Sequence, residues 1–329
     1  MPVYNFCVVV DDALMGITHV LRAEEHLPNT LRQALLYDAL GFTRPKFGHM
    51  SLILAPDRSK LSKRHGATSV GEFANQGYLP EAMVNYLSLL GWNDGTKKEV
   101  FTVQELVSAF SVGRIVKSAA VFDNAKLSWM NGQHLRAYPR ARAAELLGER
   151  WAAAGLVASP TGEFVTAAAG LVQNSLEVLN SAEGELRRLL GYPLEETAAS
   201  AEAAAELGDP GFDDLVRRVL AALQSGELAT TVATPGAFKT WMKALGKETG
   251  RKGHALYMPV RIALTGSMRG PDVGDLLAVL ALAADQGKGG VAEKGVVVPL
   301  EERGRRLKEW MEKARPAAAG VAAAADAAN

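Results

Sequence analysis

From Pro139 onward, the sequence shows no alternation of β-branched and polar residues that would compete with a helical pattern. Alanine and leucine dominate this part of the chain, and both are good helix formers. The segment 213–223 is amphipathic with a helical period, because Leu215 and Val219 fall on one side and Arg218 on the other. This part of the chain is therefore predicted to be α-helical.

The first 55 residues follow a different pattern, in which short apolar runs flank one helical segment. A short apolar run that ends at acidic residues is typical of a buried strand in a parallel sheet, whose carboxyl end binds ligands in α/β folds. The predicted elements are strands at Cys7–Val10, Val20–Arg22 and His49–Ala55, and a helix capped by Asn29 or Thr30 that ends near Leu40, with Leu31 and Leu35 facing the sheet. Strand, helix and strand at this spacing indicate the remnant of a doubly wound α/β domain, too small to close its own sheet.

The composition is that of a globular protein with two or three domains. Of the 329 residues, 36 are basic and 36 acidic, so the net charge is zero and any RNA contact must come from a local patch. A single cysteine, Cys7, excludes an internal disulfide and a Cys-only zinc site. No apolar stretch approaches the ~20 residues of a membrane helix. No membrane partner and no bound metal are expected.

The segment Lys60–Arg64 carries two lysines and an arginine around Ser62 and follows the apolar run 51–55. Mobile cationic donors of this kind suit a phosphate chain that gains charge in a transition state. Taken alone, the segment is more typical of a solvated surface turn than of a phosphate-binding loop.

After this loop the pattern becomes helical. Pro80 is placed in the first turn of a helix that ends at Gly91, and Thr102 with Glu105 forms a capping box before the next helix. A helical block is therefore predicted to follow the basic loop.

A series of short motifs along the whole chain resembles glutamyl-tRNA synthetase, a class I aminoacyl-tRNA synthetase, of bacterial or plastid type. The motifs are Tyr4–Phe6, Val8–Asp12, Gly16–His26, Lys60–Arg64, His65–Ala67, Gly77–Ala82, Asn85–Leu87, Leu90–Trp92 and Val260–Gly266. In the family, Lys60–Arg64 matches the second class signature, the loop that closes over ATP, and Val260–Gly266 matches an anticodon-domain signature.

The resemblance implies an α/β remnant of a class I Rossmann-like catalytic domain, followed by mainly α-helical stem-contact and anticodon-binding domains. The expected boundaries are 1–56 for the carboxyl-terminal part of the catalytic domain, 57–135 for the signature loop and stem-contact helices, 136–316 for the anticodon-binding domain with a break near 235, and 317–329 for an alanine-rich tail.

The resemblance also assigns the substrate pocket. Arg22 matches the arginine that binds the side-chain carboxylate of glutamate, and a guanidinium can grip a carboxylate with two parallel hydrogen bonds. Tyr4 matches a tyrosine that lines the same pocket. Without the surrounding motif, an Arg22 ion pair with Glu24 or Glu25 would be the simpler interpretation.

The ATP site is assigned in the same way. Glu25 and His26 match positions near the adenosine end of ATP, and Lys63 matches the lysine that stabilises departing pyrophosphate. Lys60 and Arg64 are expected to support the phosphates, and Ser62 to fix the loop by a local hydrogen bond. The catalytic residues are thus Lys60 and Lys63, and ATP is a substrate that arrives with Mg²⁺. Activation is an in-line attack on the α-phosphorus, so no protein nucleophile is needed.

One family motif is absent. No His-x-Gly-His signature occurs in the 329 residues, so we interpret the chain as the carboxyl-terminal portion of a longer enzyme and expect little or no activation by the chain alone. The expected function is that of a glutamate-tRNA ligase acting through glutamyl-adenylate; the alternative is a non-catalytic tRNA-binding module derived from such an enzyme. A helical second half argues against glutaminyl-tRNA synthetase, whose anticodon region is built from β-barrels.

The expected partners are L-glutamate and the tRNA for glutamate, and a monomer is expected, in the bacterial cytoplasm or in a plastid or mitochondrion. The segment 171–179 lacks the arginine with which the family often inspects the anticodon, which hints at acceptance of the tRNA for glutamine as well.

Four basic residues recur every four positions between 239 and 251. A helix through Lys239, Lys243, Lys247 and Arg251 would present one basic stripe that could follow an RNA backbone. A solvated helix face is the alternative, since Gly246 weakens the helix.

Overall fold

The computed structural model describes residues 3–62, 64, 69–232, 234, 236–283 and 290–313. The chain forms two compact units, Met1–His134 and Leu135–Asn329. The finer division into domains, with breaks at 56 and near 235, stays a prediction. Pro235 and the tail 317–329 lie outside the described residues.

The first unit combines short parallel strands with helices. Its elements are α1 (Tyr4–Leu14), β1 (His19–Ala23), α2 (Leu27–Ala39), β2 (Lys46–Met50), β3 (Ile53–Leu54), α3 (Val70–Asn75), α4 (Pro80–Leu89), α5 (Val103–Ala109), β4 (Ala120–Val121) and α6 (Asn124–Ala137). Strand β1 pairs in parallel with β2, and β3 pairs in parallel with β4. Strand, helix and parallel strand from β1 to β2 confirm the expected α/β remnant.

The predicted strand at Cys7–Val10 is wrong, because these residues lie inside α1. A short apolar run cannot be assigned to strand or helix from its period alone. In α1 only Val9 is fully buried. Asn5, on the first turn, reaches the side chain of Gln33 on α2. The run therefore forms a helix that packs on α2 instead of a strand of the sheet.

Helix α2 begins earlier than predicted. It starts at Leu27 with Pro28 in its first turn, where proline costs no hydrogen bond, and neither Asn29 nor Thr30 caps it. Its predicted end is confirmed, since the helix stops at Ala39 and Gly41 adopts a left-handed φ of 68°.

The face of α2 that packs against the rest of the unit is not the predicted one. Leu31 and Leu35 are each 69% exposed, while Gln33 and Tyr37 are buried at 1%. The apolar period of the segment does not identify the packed face, because a polar side chain occupies it. Gln33 accepts a hydrogen bond from Arg22 of β1, and this compensates its burial.

The single strand predicted at His49–Ala55 is two strands in different sheets. Strand β2 ends at Met50, and β3 pairs with β4. Between them, Ser51 donates a hydrogen bond to the Ser118 carbonyl at 2.8 Å. The chain thus leaves one sheet and enters another within two residues. The predicted strand at Val20–Arg22 is confirmed as part of β1.

The core of the first unit lies among α3, α4 and α6. Its buried side chains are Phe73, Met83, Tyr86, Phe122, Leu127 and Met130. The predicted capping box of Thr102 and Glu105 is present at the start of α5, and Ser69 and Glu72 form a second one at α3. Local hydrogen bonds and a shared aromatic core therefore fix the helices that follow the basic loop.

The second unit is helical, as predicted, with no named strand among its described residues. Its helices are α7 (Arg140–Ala153), α8 (Glu163–Val172), α9 (Ala182–Leu190), α10 (Leu194–Ala198), α11 (Ala201–Leu207), α12 (Phe212–Gln224), α13 (Glu227–Val232), α14 (Ala237–Thr249), α15 (His254–Thr265), α16 (Val273–Ala283) and α17 (Leu300–Lys313). Helix α12 buries Leu215 and Val219 and exposes Arg217 and Arg218, which confirms its amphipathic pattern.

A buried arginine joins three parts of the second unit. Arg303 on α17 is 0% exposed. It donates hydrogen bonds to the carbonyls of Val298 at 2.7 Å, Leu264 at 2.9 Å, Leu190 at 3.0 Å and Gly191 at 2.6 Å. Leu264 and Leu190 belong to the last turns of α15 and α9, whose terminal carbonyls lack partners within the helix and carry partial negative charge. The guanidinium therefore satisfies two helix ends at once.

In the part of the chain that the structure describes, no helix is long and apolar enough to cross a bilayer.

Candidate functional site

The predicted substrate residues lie where β1 ends. Ala23 closes the strand, a 3-10 turn follows at Glu24–His26, and α2 begins directly after it. Because β1 and β2 are parallel, their carboxyl ends meet at the same edge, with Arg22 opposite His49. This is the edge at which open α/β sheets bind ligands.

Neutral oxygen atoms hold the Arg22 guanidinium. Its Nη2 donates to Thr30 Oγ1 and to Gln33 Oε1, both at 2.7 Å, and the guanidinium lies 5.6 Å from the centre of the Phe47 ring. Its Nε is buried and has no hydrogen-bond partner among the described residues. Arg22 makes no ion pair with any described residue. The alternative pairing with Glu24 or Glu25 is therefore not present.

Four further polar residues build the surroundings of Arg22, and none of them was predicted as a site residue. Gln33 donates to Asn5 Oδ1 at 2.9 Å, and Thr30 contacts His49 Nε2 at 2.9 Å. Thr30 and Gln33 are three residues apart and so share one face of α2. The spacing of Thr30 and Gln33 along a predicted helix was the signal in the sequence that could have identified these two residues as partners of one site.

Tyr4 lies near the same edge but on a helix. It is the first residue of α1 and is 53% exposed, and its ring centre is 6.4 Å from that of His26. The His26 ring contacts Asn29 Nδ2 at 3.3 Å. The structure therefore brings Tyr4 and His26 together beside the Arg22 network.

Two residues predicted to bind ATP meet directly. Lys60 Nζ lies 2.6 Å from Glu25 Oε2, although the residues are 35 positions apart. The hydrogen bond from Lys60 lowers the pKa of the Glu25 carboxyl, and the lysine charge adds to this effect. The basic loop is thus tied to the turn that follows β1.

A tight turn directly precedes the basic loop, Lys60–Arg64. The Ala55 amide donates to the Ser59 carbonyl at 2.8 Å, Arg58 has a left-handed φ of 62°, and Lys60 bridges Leu54 in antiparallel fashion. Arg64 donates to Ser59 Oγ at 3.2 Å.

Ser62 and Lys63 are the remaining residues of the basic loop that were predicted to act on ATP. Ser62 is half-buried. Lys63 lies outside the described residues, as do residues 65–68.

The site contains hydrogen-bond donors and cations but no group of metal ligands. Among the described residues, no three His, Cys, Asp or Glu side chains are placed to hold a metal ion. Chemically, the arrangement offers a guanidinium with one buried donor that is unused among the described residues and, at the strand's end, an exposed lysine and carboxylate.

The second unit contains a separate cavity of about 540 Å³. Four arginines line it, together with polar and acidic side chains, and these arginines are Arg140, Arg188, Arg261 and Arg269. Arg261 lies in the motif 260–266, and its Nη2 donates to the Pro271 carbonyl at 2.8 Å. Burial lowers the pKa of this guanidinium. We call this the arginine cavity.

Comparisons with known proteins match both units to described protein families. Residues 1–129 match the family described as "tRNA synthetases class I (E and Q), catalytic domain", and residues 141–282 match "Anticodon binding domain". The glutamate-tRNA ligase of Heliobacterium modesticaldum is 45% identical over 285 residues, which are 85% of this chain and 56% of that protein. That of Carboxydothermus hydrogenoformans is 42% identical over 288 residues, or 86% of this chain and 58% of that protein.

Solved structures agree with the sequence comparison. A glutamate-tRNA synthetase from Elizabethkingia anophelis superposes with a TM-score of 0.72 at 26% identity, covering 95% of this chain and 60% of that one. The chain thus spans a little over half the length of the relatives that it matches. The matches run through both units and agree with the motifs from Tyr4 to Gly266. The chain therefore belongs to the glutamate-tRNA ligase family of class I tRNA synthetases.

Proposed function

We propose that this chain takes part in the ATP-dependent attachment of glutamate to its tRNA through glutamyl-adenylate. The observation that carries the proposal is Arg22, whose buried Nε has no partner among the described residues. Thr30 and Gln33 orient the guanidinium without neutralising its charge. A carboxylate at this edge would meet an oriented cation with a free donor, which is the geometry that selects glutamate over glutamine.

The same proposal assigns roles around ATP. Tyr4 lines the glutamate pocket, and His26 and Glu25 lie on the adenosine side. Lys60, Lys63 and Arg64 support the phosphates, Ser62 fixes the loop, and ATP arrives with Mg²⁺. The Lys60–Glu25 pair supports this assignment, because it holds one cation of the loop beside the carboxyl end of β1.

The proposed tRNA contact lies in the second unit. The match to an anticodon-binding domain covers 141–282, and the arginine cavity lies largely within this range. The tRNA for glutamate is the proposed partner. A monomer in the bacterial cytoplasm, a plastid or a mitochondrion belongs to the same proposal.

A second candidate is a non-catalytic tRNA-binding module. It is favoured by one observation, the match of residues 141–282 to an anticodon-binding domain. Exchange of pyrophosphate into ATP in the presence of glutamate separates the two. We expect no exchange from this chain alone. Exchange at the level of an intact synthetase would show that the absent signature is dispensable.

The glutamate pocket is tested by saturation-transfer NMR on the chain with L-glutamate and L-glutamine. We expect transfer to glutamate only, and its loss in Arg22→Gln. Arg44→Gln is the control, because Arg44 is an exposed arginine of the same unit that pairs with Asp38. Equal transfer in wild type and Arg22→Gln would remove Arg22 from the proposal.

A further inference from the structure

A second concave surface of the second unit shares no lining residue with the arginine cavity. It has a volume of about 490 Å³ and lies between the carboxyl-terminal half of α14, the loop 250–253 and the first turn of α15. Its polar lining includes Lys243, Lys247, Lys252 and Tyr257. We call it the lysine concavity.

Glycines allow the loop to lie close against α14. A Cβ at Gly246 would lie 2.9 Å from the Arg251 carbonyl oxygen and 2.9 Å from Leu256 Cδ2. Gly250 ends the helix with a left-handed φ of 69°. Gly246 therefore does more than weaken a helix, because its missing side chain lets the loop form one wall of the concavity.

Arg251 anchors this loop and does not belong to the basic stripe. Its Nη1 and Nη2 donate to the two carboxylate oxygens of Asp209 at 2.6 and 2.7 Å, and Nη1 also donates to the Ala255 carbonyl at 3.1 Å. The hydrogen bonds from Arg251 lower the pKa of Asp209 to about 2. The loop is thus held in place by a bidentate pair, and the charge of Arg251 is already matched.

The three lysines of the concavity are exposed, and their charges are unmatched by any carboxylate in the described part of the chain. None of Lys243, Lys247 and Lys252 forms a salt bridge within the described part of the chain. Two nearby carboxylates have other partners: Glu248 lies 3.5 Å from Arg218, and Glu206 lies 3.4 Å from His254. Three cations therefore face one open surface.

An aromatic ring stands beside these cations. Tyr257 is 53% exposed, and it is the only large apolar or aromatic side chain of the second unit that is exposed among the described residues. A membrane-binding face or a peptide groove would need several exposed apolar side chains. Lysines around a single exposed ring are instead the combination that binds the backbone and one unstacked base of a nucleic acid.

We propose that the lysine concavity binds a single-stranded or looped RNA segment, with Lys243, Lys247 and Lys252 on its phosphates and Tyr257 stacked on a base. The inference rests on the proposed function in one respect, namely that the second unit binds RNA. It adds a contact outside the arginine cavity, and its lysines contribute to affinity without reading the anticodon.

The test measures binding of the full chain to glutamate tRNA and to an anticodon-swapped transcript across a KCl series. We expect Lys243→Gln with Lys247→Gln to lower the slope of log affinity against log salt by about 1.4 to 1.8, since each lost phosphate contact removes roughly 0.7 to 0.9. Affinity for the two RNAs should fall by the same factor. Lys239→Gln is the matched control, because Lys239 is exposed on the same helix but outside the concavity.

The ring is tested separately. Tyr257→Ala should weaken binding by about fivefold or more, whereas Tyr257→Phe should keep the wild-type affinity, because stacking needs only the ring. Variants that bind tRNA with the wild-type slope and affinity would overturn the inference while leaving the tRNA partner intact. No binding of either RNA by the wild-type chain would overturn both.

Discussion

Arg22 and Lys60 illustrate two ways of placing a cation. Arg22 is half-buried and is oriented by neutral oxygens of α2, so its charge stays available. Lys60 is exposed and pairs with Glu25 across 35 positions of sequence. The first arrangement favours a tightly defined carboxylate site, and the second favours a loop that can exchange its carboxylate partner for a phosphate.

The Lys60–Glu25 pair gives a prediction about pH. Because Lys60 lowers the Glu25 pKa in the folded chain, the pair stabilises the fold above the ordinary pKa of glutamate, and this contribution is lost as pH falls through the lowered value. Lys60→Met should raise the Glu25 pKa toward its ordinary value, as measured by carbon-detected NMR titration of the carboxyl group. A Glu25 titration that is unchanged in this variant would show that the pair does not form in solution.

At the scale of elements, the ends of helices carry much of the organisation. Capping boxes start α3 and α5, left-handed glycines end α14 and α15, and Arg303 occupies the ends of α9 and α15. Helices α9 and α15 also carry lining residues of the arginine cavity, namely Arg188 and Arg261. The buried guanidinium thus fixes two walls of that cavity relative to each other.

Replacement of Arg303 should therefore be costly. Arg303→Met leaves four carbonyl groups without their charged donor, and we expect the free energy of unfolding to fall by about 3 kcal/mol or more. Urea unfolding followed by circular dichroism measures the change. Arg305→Gln on the same helix is the control, since Arg305 pairs with Glu302 at the surface and its loss should cost less than about 1 kcal/mol. Equal midpoints for Arg303→Met and wild type would contradict the structural role.

At the scale of the whole molecule, the two units differ in how completely they bury apolar side chains. Among the described residues, every exposed large apolar side chain except Tyr257 lies in the first unit, including Leu14, Met15, Leu31 and Leu35. The described part of the first unit also has two sheets of only two strands each. Small sheets with open faces gain little from burial.

The first unit should therefore unfold before the second. Hydrogen exchange measured by mass spectrometry in increasing sub-denaturing urea should show amides of β1 and α2 opening at lower urea than amides of α8 and α12. The helices of the second unit serve as the internal reference. Simultaneous opening of both sets would indicate a single cooperative unit.

Sequence patterns were most reliable where the partners are close along the chain. Thr102 and Glu105 are three residues apart, and their capping box forms as predicted. The apolar run at Cys7–Val10 forms a helix and not the predicted strand. Its apolar period fits both structures, and the helix is stabilised by packing on α2, which comes later in the chain. The surroundings of Arg22 could not be predicted, since Asn5, Gln33 and His49 reach the site from three separate elements.

Local sequence patterns were enough to predict the helical second unit, the β1 strand, the helical block after the basic loop and membership of a synthetase family. All of these depend on local period, caps or ordered motifs. The folded chain was needed to show which face of α2 is buried, that Lys60 pairs with Glu25, and that Arg251 lies outside the basic stripe and anchors a loop on Asp209. These outcomes depend on contacts between distant segments, whose energies are set by burial and charge pairing in the folded chain and leave no local pattern.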